Sequence, residues 1–277
     1  MFITVNGVRL EYNDGGDGIP IVTLHGGPGM SNRASDWRTF QPFTDQYRLI
    51  SYDQRGNGGS EGKEPYTHEQ WVADLEAMRH QLGLGKIVLT GGSYGGHLAL
   101  EYAIRHQDNL RALILRDTAA SNKYQDTAMK RARESGLPMD LAALERLFGG
   151  RVSGNEEFRS SFAMIQPLYN VVYDPEEGKK ALAAIPFRYE THNWAFGRNQ
   201  PGFDIVHRLK EIRVPTLVIV GRHDWITPLE ASEEIAREIP GSRLVIFEHS
   251  GHSPQKEENA RFLQLVRDFL QEMAPAA

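Results

Sequence analysis

The sequence predicts an α/β fold in which a mostly parallel central sheet is flanked by helices and interrupted by an inserted helical cap. Strand-like and helix-like segments alternate along the first 118 residues. The strand-like segments are short, continuous apolar runs, which are typical of strands buried on both faces of a parallel sheet. Helix formers and polar residues dominate residues 119–207, and strands return after them. We therefore predict a core of residues 1–118 and 208–277 with a cap, or lid, of residues 119–207.

The chain begins with a predicted hairpin. Phe2–Val5 and Val8–Tyr12 read as strands on either side of Asn6-Gly7, a residue pair that favours a two-residue turn with positive φ. Two short apolar runs then end in turns and suit core strands, namely Ile21–Leu24 and Arg48–Tyr52.

The following segments predict helices that cross over between parallel strands. Thr67 opens a capping-box pattern ahead of a periodic apolar face, which predicts a helix that Gly83 ends. Alternating strands and helices are typical of right-handed crossover connections between parallel strands. The remaining predicted elements of the core are strands at Lys86–Thr90, Ala112–Arg116, Pro215–Val220 and Arg243–Phe247, helices at about Gly95–His106 and Glu258–Glu272, and a loose tail at Ala274–Ala277.

Composition excludes several classes of protein. The chain has 277 residues and contains no cysteine, so disulfide frameworks, thiolate zinc sites, iron–sulfur clusters and cysteine nucleophiles are excluded. Its 31 basic and 36 acidic residues give a net charge of −5, which disfavours nucleic acid as a partner. Because no long apolar run or signal-peptide pattern is present, we predict a cytoplasmic protein without a membrane partner.

The strongest local signal is Gly91-Gly92-Ser93-Tyr94-Gly95, which follows the pattern Gly-x-Ser-x-Gly. It lies between a predicted buried strand and a predicted helix, the context in which this pattern forms a tight turn that exposes the serine. The glycines allow a backbone path that a Cβ atom would obstruct. We therefore predict that Ser93 is a nucleophile.

A serine hydroxyl needs a base to take its proton and an acid to orient that base. Asp224 follows the predicted strand Pro215–Val220, and His252 follows the strand Arg243–Phe247. The order Ser, Asp, His is the one expected when the three residues lie at the carboxyl ends of strands in such a sheet. We predict Ser93, His252 and Asp224 as a catalytic triad.

A second glycine-rich segment, His25-Gly26-Gly27-Pro28-Gly29, follows the strand Ile21–Leu24. Backbone N–H groups in such a loop can hold the negative oxygen of an acyl-transfer intermediate. We expect the amides of Gly27 and Tyr94 to form this oxyanion hole. A metal cluster of His249, His252 and Asp224 lacks the spacing of a metal motif, so we predict no metal and no cofactor.

These motifs resemble the α/β-hydrolase superfamily and, within it, the proline iminopeptidase family of serine aminopeptidases. The resemblance rests on HGGPG at residues 25–29, on Asp53-Gln54-Arg55-Gly56-x-Gly58-x-Ser60, on the Ser93 motif, and on the Asp224 and His252 segments. It implies an α/β-hydrolase fold and an enzyme that releases N-terminal residues, often proline, from short peptides.

The resemblance also implies that acidic residues of the cap hold the free ammonium group of the substrate. Glu190 resembles the acidic cap position, which makes it a candidate substrate-binding residue. Aromatic residues of the cap are candidates for an apolar pocket wall, namely Tyr169, Tyr173, Phe187, Trp194 and Phe196. The same aromatic residues could instead form the cap's own core.

Two other functions remain open from the sequence. A carboxylesterase or lactonase would use the same triad on small apolar acyl esters and would not need Glu190. A receptor that kept the fold without turnover would not need the triad, because a fold does not by itself prove a function.

Overall fold

An eight-stranded sheet forms the centre of the protein. The structure, a computed structural model, describes residues 1–273, and the predicted tail Ala274–Ala277 lies outside the described residues. The strands are β1 (Phe2–Val5), β2 (Val8–Gly15), β3 (Ile19–Leu24), β4 (Tyr47–Tyr52), β5 (Ile87–Gly92), β6 (Leu110–Arg116), β7 (Thr216–Gly221) and β8 (Arg243–Phe247). Their order across the sheet is β1-β2-β4-β3-β5-β6-β7-β8.

The sheet is parallel from β4 to β8, and only β2 pairs with its two neighbours in the antiparallel direction. The predicted N-terminal hairpin is confirmed, because β1 and β2 pair across a turn in which Asn6 has φ 47° and Gly7 has φ 71°. Positive φ at both turn residues is what a two-residue hairpin requires. The sheet is that of an α/β-hydrolase fold, as predicted.

Helices connect the strands and cover both faces of the sheet. Within residues 1–273 they are α1 (Arg33–Phe40), α2 (His68–Gln81), α3 (Tyr94–His106), α4 (Gln125–Glu134), α5 (Leu141–Phe148), α6 (Asn155–Ile165), α7 (Pro175–Ala183), α8 (Tyr189–Trp194), α9 (Leu229–Glu238), α10 (Pro254–Glu257) and α11 (Asn259–Glu272). Short π and 3₁₀ turns continue α8 through Gly202.

The predicted start of α2 is confirmed. Thr67 is its N-cap, and the Thr67 hydroxyl accepts a hydrogen bond from the backbone N–H of Gln70 at 3.2 Å. The Gln70 side chain does not complete the capping box but donates to Asp74 at 2.9 Å. The apolar face of α2 packs in the core through Trp71, Leu75 and Met78.

Two large hydrophobic clusters hold the sheet between the helices. The first contains the apolar faces of α2 and α3. The second contains Phe262, Val266 and Phe269 of α11 packed against buried strand residues such as Ile219. The strand β7 is buried along its whole length, which agrees with the continuous apolar run in the sequence.

The helices α4 to α8 lie between β6 and β7 in the chain and have a hydrophobic cluster of their own. Phe158, Phe162 and Phe187 form part of that cluster, and the rings of Phe158 and Phe187 are 5.0 Å apart. Trp225, which follows β7, joins the same cluster. This contact fixes the inserted helices over the end of β7.

Two helices have no counterpart among the elements predicted from the sequence. Helix α1 is short and amphipathic only in part, although Asn32 caps it by accepting from the N–H of Ala34 at 2.9 Å. Helix α9 buries Ala231 and Ile235, whose spacing of four is the ordinary signal of a buried helix face. Among residues 1–273 no helix has the length and apolar character needed to cross a bilayer.

Candidate active site

Ser93 lies in the sharp turn between β5 and α3. Its backbone has φ 51° and ψ −126°, a conformation that is rare for any residue except glycine. A Cβ atom on Gly91 would lie 2.3 Å from the carbonyl oxygen of Gly95, and one on Gly95 would lie 2.1 Å from that of Leu24. Both glycines of the motif are therefore required by close backbone contacts.

Hydrogen bonds from the neighbouring strand hold Ser93 in this conformation. Its N–H donates to the carbonyl of Arg116 at 2.9 Å, and the hydroxyl of Thr118 donates to the carbonyl of Ser93 at 2.7 Å. A strained residue persists only when its surroundings fix it, and strain of this kind is concentrated at functional sites. The backbone of Ser93 is thus fixed from both sides by the end of β6.

The structure brings His252 and Asp224 together. Asp224 follows β7 and His252 follows β8, and the Nδ1 atom of His252 is 2.7 Å from Oδ2 of Asp224. Both side chains are buried. The N–H of His252 donates to the carbonyl of Tyr169 at 2.8 Å, so a cap residue also fixes the histidine backbone.

The other acceptor positions of Asp224 are also occupied. Its Oδ1 accepts from the N–H groups of Ile226 at 2.9 Å and Thr227 at 3.0 Å, and its Oδ2 accepts from the Thr227 hydroxyl at 2.7 Å. These donors fix the orientation of the Asp224 carboxyl group. The hydrogen bond to His252 then places a proton on Nδ1, which leaves Nε2 as the basic atom.

The pKa of His252 is raised in this setting. Burial opposes the charged form, but the negative charge of Asp224 and its hydrogen bond favour the imidazolium more strongly. The nearby carboxyl of Asp117 acts in the same direction, and Arg116 acts against it. A histidine of raised pKa is a stronger base at neutral pH, as proton abstraction from a serine requires.

Asp117 is a site residue that the sequence analysis missed. It directly follows β6, has φ 45°, and its Oδ1 accepts from the N–H of Gly221 at 2.9 Å. Burial, and then the negative charge of Asp224, raise the pKa of Asp117 far above its ordinary value. Its signal in the sequence was its place directly after the predicted strand Ala112–Arg116.

One carboxyl oxygen of Asp117, one of Asp224 and one ring nitrogen of His252 all lie within 4.8 Å of one another, as the ligands of a metal ion would. His252 and Asp224 are hydrogen-bonded to each other, and Asp117 is bonded to a backbone amide. The pair matches a histidine oriented by one carboxylate, and Asp117 lies beside this pair without a hydrogen bond to either residue. That the protein needs neither a metal nor a cofactor stays a prediction.

The glycine-rich loop after β3 lies against Ser93. A Cβ atom on Gly26 would be 2.8 Å from Cβ of Ser93 and 3.4 Å from its Oγ. Gly27 has φ 58°, and the N–H groups of Gly27 and Tyr94 have no acceptor among residues 1–273. Tyr94 begins α3, so its N–H is one of the unpaired donors of a helix start. The structure thus places both predicted oxyanion-hole residues beside Ser93.

A cavity of about 710 Å³ lies between the sheet and the inserted helices. Ser93, His252, Gly27 and Tyr94 all line it. Its volume is within the range of sites for small ligands. The inserted helices contribute Tyr169, Tyr173, Asp174, Glu177 and Phe196 to its wall.

The structure does not bring Glu190 and Trp194 to this cavity. Both line an adjoining cavity of about 880 Å³, which shares Asn122, Gln125, Phe148 and Phe196 with the first, and Glu190 is exposed. The Trp194 ring packs against Tyr66 at 5.9 Å, while Arg198 covers it at 4.0 Å. The orientation of α8 is the physical reason, because its inward face carries Thr191 and His192 rather than Glu190. The structure thus places Glu190 and Trp194 outside the cavity that contains Ser93, and their substrate-binding roles stay a prediction.

The family model of the α/β-hydrolase fold matches residues 19–259. A proline iminopeptidase of Pestalotiopsis fici is 35% identical to the chain, over 98% of this chain and 99% of that protein. A proline iminopeptidase of Saccharolobus solfataricus is 33% identical, over 98% and 96% of the two chains. The chain belongs to the proline iminopeptidase family of α/β hydrolases. It is accordingly an enzyme of the serine-hydrolase type.

Solved structures agree with the fold of this α/β hydrolase. A thermophilic esterase from Thermogutta terrifontis superposes with a TM-score of 0.78 at 29% identity, covering 98% of this chain and 97% of that chain. A meta-cleavage product hydrolase from Pseudomonas fluorescens superposes with a TM-score of 0.79 at 24% identity, covering 99% and 98%, which supports the fold alone.

Proposed function

We propose that the protein is an aminopeptidase in which Ser93, His252 and Asp224 form the catalytic triad. One observation carries the proposal. His252, which pairs with Asp224 at 2.7 Å, lies in the wall of the same cavity as Ser93, whose strained turn points to function. The three residues occur in the chain order expected for this fold.

The triad explains the chemistry of acyl transfer. Ser93 Oγ attacks the substrate carbonyl while Nε2 of His252 takes the hydroxyl proton. Asp224 holds the imidazole in the required tautomer and stabilises its charged form. His252 then gives the proton to the leaving amine, and water hydrolyses the acyl-enzyme by the same steps in reverse.

The amides of Gly27 and Tyr94 are the donors for the oxyanion. Each such donor contributes on the order of 3 to 4 kcal/mol to stabilising the transition state in enzymes of this type. The close contact of the Gly26 backbone with Ser93 fixes the loop that carries Gly27. The oxyanion hole is therefore preorganised before substrate binds.

The relatives of this chain support a peptide substrate with a free N-terminus, because two of them at 33–35% identity are named proline iminopeptidases. An ammonium group needs a carboxylate partner when it leaves water. In the cap, Asp174 and Glu177 of the α7 start line the cavity that contains Ser93. Glu177 is the better placed to accept the ammonium group, because the Asp174 side chain caps the helix, whereas Glu177 pairs with Lys180 in an exposed contact that a substrate ammonium group can replace.

A panel of substrates tests the proposal. We would measure initial rates on prolyl, alanyl and leucyl arylamides, on their N-acetylated forms, and on p-nitrophenyl acetate and butyrate, with the Ser93→Ala protein as blank. An aminopeptidase turns over the free arylamides and not the acetylated ones. Equal rates on free and acetylated arylamides would contradict it.

Matched variants in the cap locate the amine-binding carboxylate. Glu177→Gln is expected to raise KM for arylamides with a free amine while p-nitrophenyl acetate turnover changes little. Glu176→Gln is the control, because Glu176 is exposed on the same helix and does not line the cavity. Glu190→Gln tests the prediction made from the sequence. A loss at Glu190 and none at Glu177 would favour that prediction over the geometry.

A carboxylesterase is the second candidate, and one observation favours it. The acidic groups that line the cavity already have partners: Asp36 pairs with Arg116 at 2.9 Å and Glu177 pairs with Lys180 at 2.8 Å. Asp117 has a strongly raised pKa and tends to stay neutral. Turnover of esters without turnover of arylamides would keep the triad and replace the aminopeptidase by this candidate.

A further inference from the structure

Three polar side chains form an alcove in the wall of the cavity, and the proposed mechanism uses none of them. They are His97 on α3, Ser121 after β6, and Gln200 in the 3₁₀ turn after α8, and we name them the His97 alcove. His97 lies in the first turn of α3, four residues after Ser93. The His97 ring is 4.9 Å from the ring of Tyr94, the residue next to the nucleophile.

Phe203 holds the three members of the alcove together. Its ring stacks on His97 with the centroids 4.6 Å apart. The N–H of Phe203 donates to the carbonyl of Gln200 at 3.0 Å, and Ser121 pairs with the neighbouring Asp204 in a β-bridge. The backbones of Gln200 and Ser121 are therefore fixed on either side of the ring that supports His97.

The polar atoms of the His97 alcove lack hydrogen-bond partners. Both ring nitrogens of His97, Oγ of Ser121 and Oε1 of Gln200 are buried and have no partner among residues 1–273. His97 is 4% exposed and Ser121 is 3% exposed. Buried polar atoms are nearly always paired, and leaving one unpaired costs free energy, so a group of four at one place needs an explanation.

The chemistry of the alcove selects a neutral partner. Burial, and then the charge of nearby His68, lower the pKa of His97 to about 3, so the ring is neutral. A neutral imidazole offers one donor and one acceptor, a serine hydroxyl offers both, and Oε1 of glutamine accepts. None of the three side chains carries a charge that could neutralise an ionic ligand.

We propose that the His97 alcove binds a neutral part of the substrate that both donates and accepts hydrogen bonds, namely a carboxamide or a peptide amide. The inference rests on the proposed function only in assuming that the substrate reaches Ser93. A carboxamide places its N–H groups on Oε1 of Gln200 and on the acceptor nitrogen of His97, while its oxygen accepts from His97 or Ser121. An apolar group in the same place leaves these four atoms unpaired, which disfavours it.

Matched pairs of substrates test this selectivity. The p-nitrophenyl esters of 5-amino-5-oxopentanoic acid and 5-methylhexanoic acid have the same shape, but only the first ends in a carboxamide. The dipeptides Ala-Asn and Ala-Leu place the same contrast on the leaving side. We expect the carboxamide member of one pair to have a kcat/KM about tenfold higher, as one or two net hydrogen bonds would give.

Variants of His97 assign the preference to the alcove. His97→Phe should reduce the ratio of the two kcat/KM values to near one, and His97→Gln, which keeps a donor and an acceptor, should restore part of it. His80→Phe is the matched control, because His80 is exposed on α2 and outside the cavity. A ratio near one for the unmodified enzyme in both pairs would overturn the proposal, as would a high ratio that survives in His97→Phe.

A binding measurement separates this proposal from the proposed function. Protein labelled with ¹⁵N-histidine is titrated with pentanamide or with 2-hexanone, which has the same shape and accepts hydrogen bonds but cannot donate them. We expect pentanamide to shift the His97 ring nitrogens more than 2-hexanone does, even if no substrate is turned over. Equal shifts, or shifts confined to other histidines, would show an alcove that holds only water.

Discussion

The backbone of Gly26 lies so close to Ser93 that a Cβ atom on Gly26 would be 2.8 Å from Cβ of Ser93. The same Cβ atom would also be 2.8 Å from the carbonyl oxygen of Gly92. Because a carbonyl oxygen of the backbone cannot yield as a flexible side chain can, an added methyl group has to displace the loop. The geometry of the oxyanion hole therefore depends on a glycine that does no chemistry itself.

We predict that Gly26→Ala lowers kcat by about 10²- to 10³-fold, the loss that follows removal of one oxyanion-hole donor. KM is expected to change much less, because the substrate pocket keeps its wall. Steady-state kinetics on an ester substrate measures both constants. Gly154→Ala is the control, since nothing lies within 4 Å of its added Cβ atom. Unchanged kcat in Gly26→Ala would show that the loop does not support the oxyanion.

The strained backbone at Ser93 predicts that a glycine variant is more stable than an alanine variant at this position. Ser93→Gly is expected to be more stable than Ser93→Ala by about 1 kcal/mol, because glycine adopts φ 51° and ψ −126° without the strain that alanine retains. In α6 the order should reverse at exposed Ser160, where glycine is the poorer helix former. Urea denaturation measures all four variants. The same order at both positions would contradict a strained turn.

The pair of His252 and Asp224 predicts a pH dependence of activity. The proposed active base is the neutral form of His252, so kcat/KM should rise with pH through the raised pKa of this histidine. Asp224→Asn removes the negative charge that raises the pKa of His252. We expect kcat/KM in this variant to fall by several orders of magnitude and its acidic limb to move to lower pH. An acidic limb at the unchanged pH would exclude His252 as the titrating group.

Asp117 predicts a pH dependence of stability. Its pKa is higher in the folded protein than the unfolded value of about 4, so the folded form holds a proton that the unfolded form loses. The stability that this group contributes is fully present below pH 4 and is lost as pH rises through the folded pKa. Asp117→Asn keeps an oxygen for the N–H of Gly221, and asparagine tolerates the φ of 45°.

We therefore expect the free energy of unfolding of Asp117→Asn to increase relative to that of the unmodified protein as pH rises from 5 to 9. The increase is up to about 1.4 kcal/mol for each pH unit between the unfolded and the folded pKa of Asp117. Chemical denaturation across this pH range measures the difference. Asp108→Asn, at an exposed position, controls for the loss of a surface carboxylate. A difference that stays flat or falls with pH would show that Asp117 is ionised in the folded protein.

The site residues predicted from the sequence are those set by local chemistry. The turn at Ser93 needs its flanking glycines, and Asp224 and His252 follow strands whose apolar runs are plain in the sequence. Asp117 was missed because its role arises only where the ends of β6 and β7 meet. Glu190 was placed by resemblance, but which face of a short cap helix meets the cavity depends on tertiary packing. Helix α9 could have been found from the spacing of Ala231, Ile235 and Ile239.

The central claim is that Ser93 is a nucleophile activated by His252, and covalent labelling tests it most directly. The protein, and its His252→Ala and Ser93→Ala variants, would be treated with a fluorophosphonate and analysed by peptide mass spectrometry. The account predicts one adduct on Ser93 in the unmodified protein, a rate of labelling reduced by orders of magnitude in His252→Ala, and no adduct in Ser93→Ala. Labelling of a different residue, or an equal rate in His252→Ala, would contradict it.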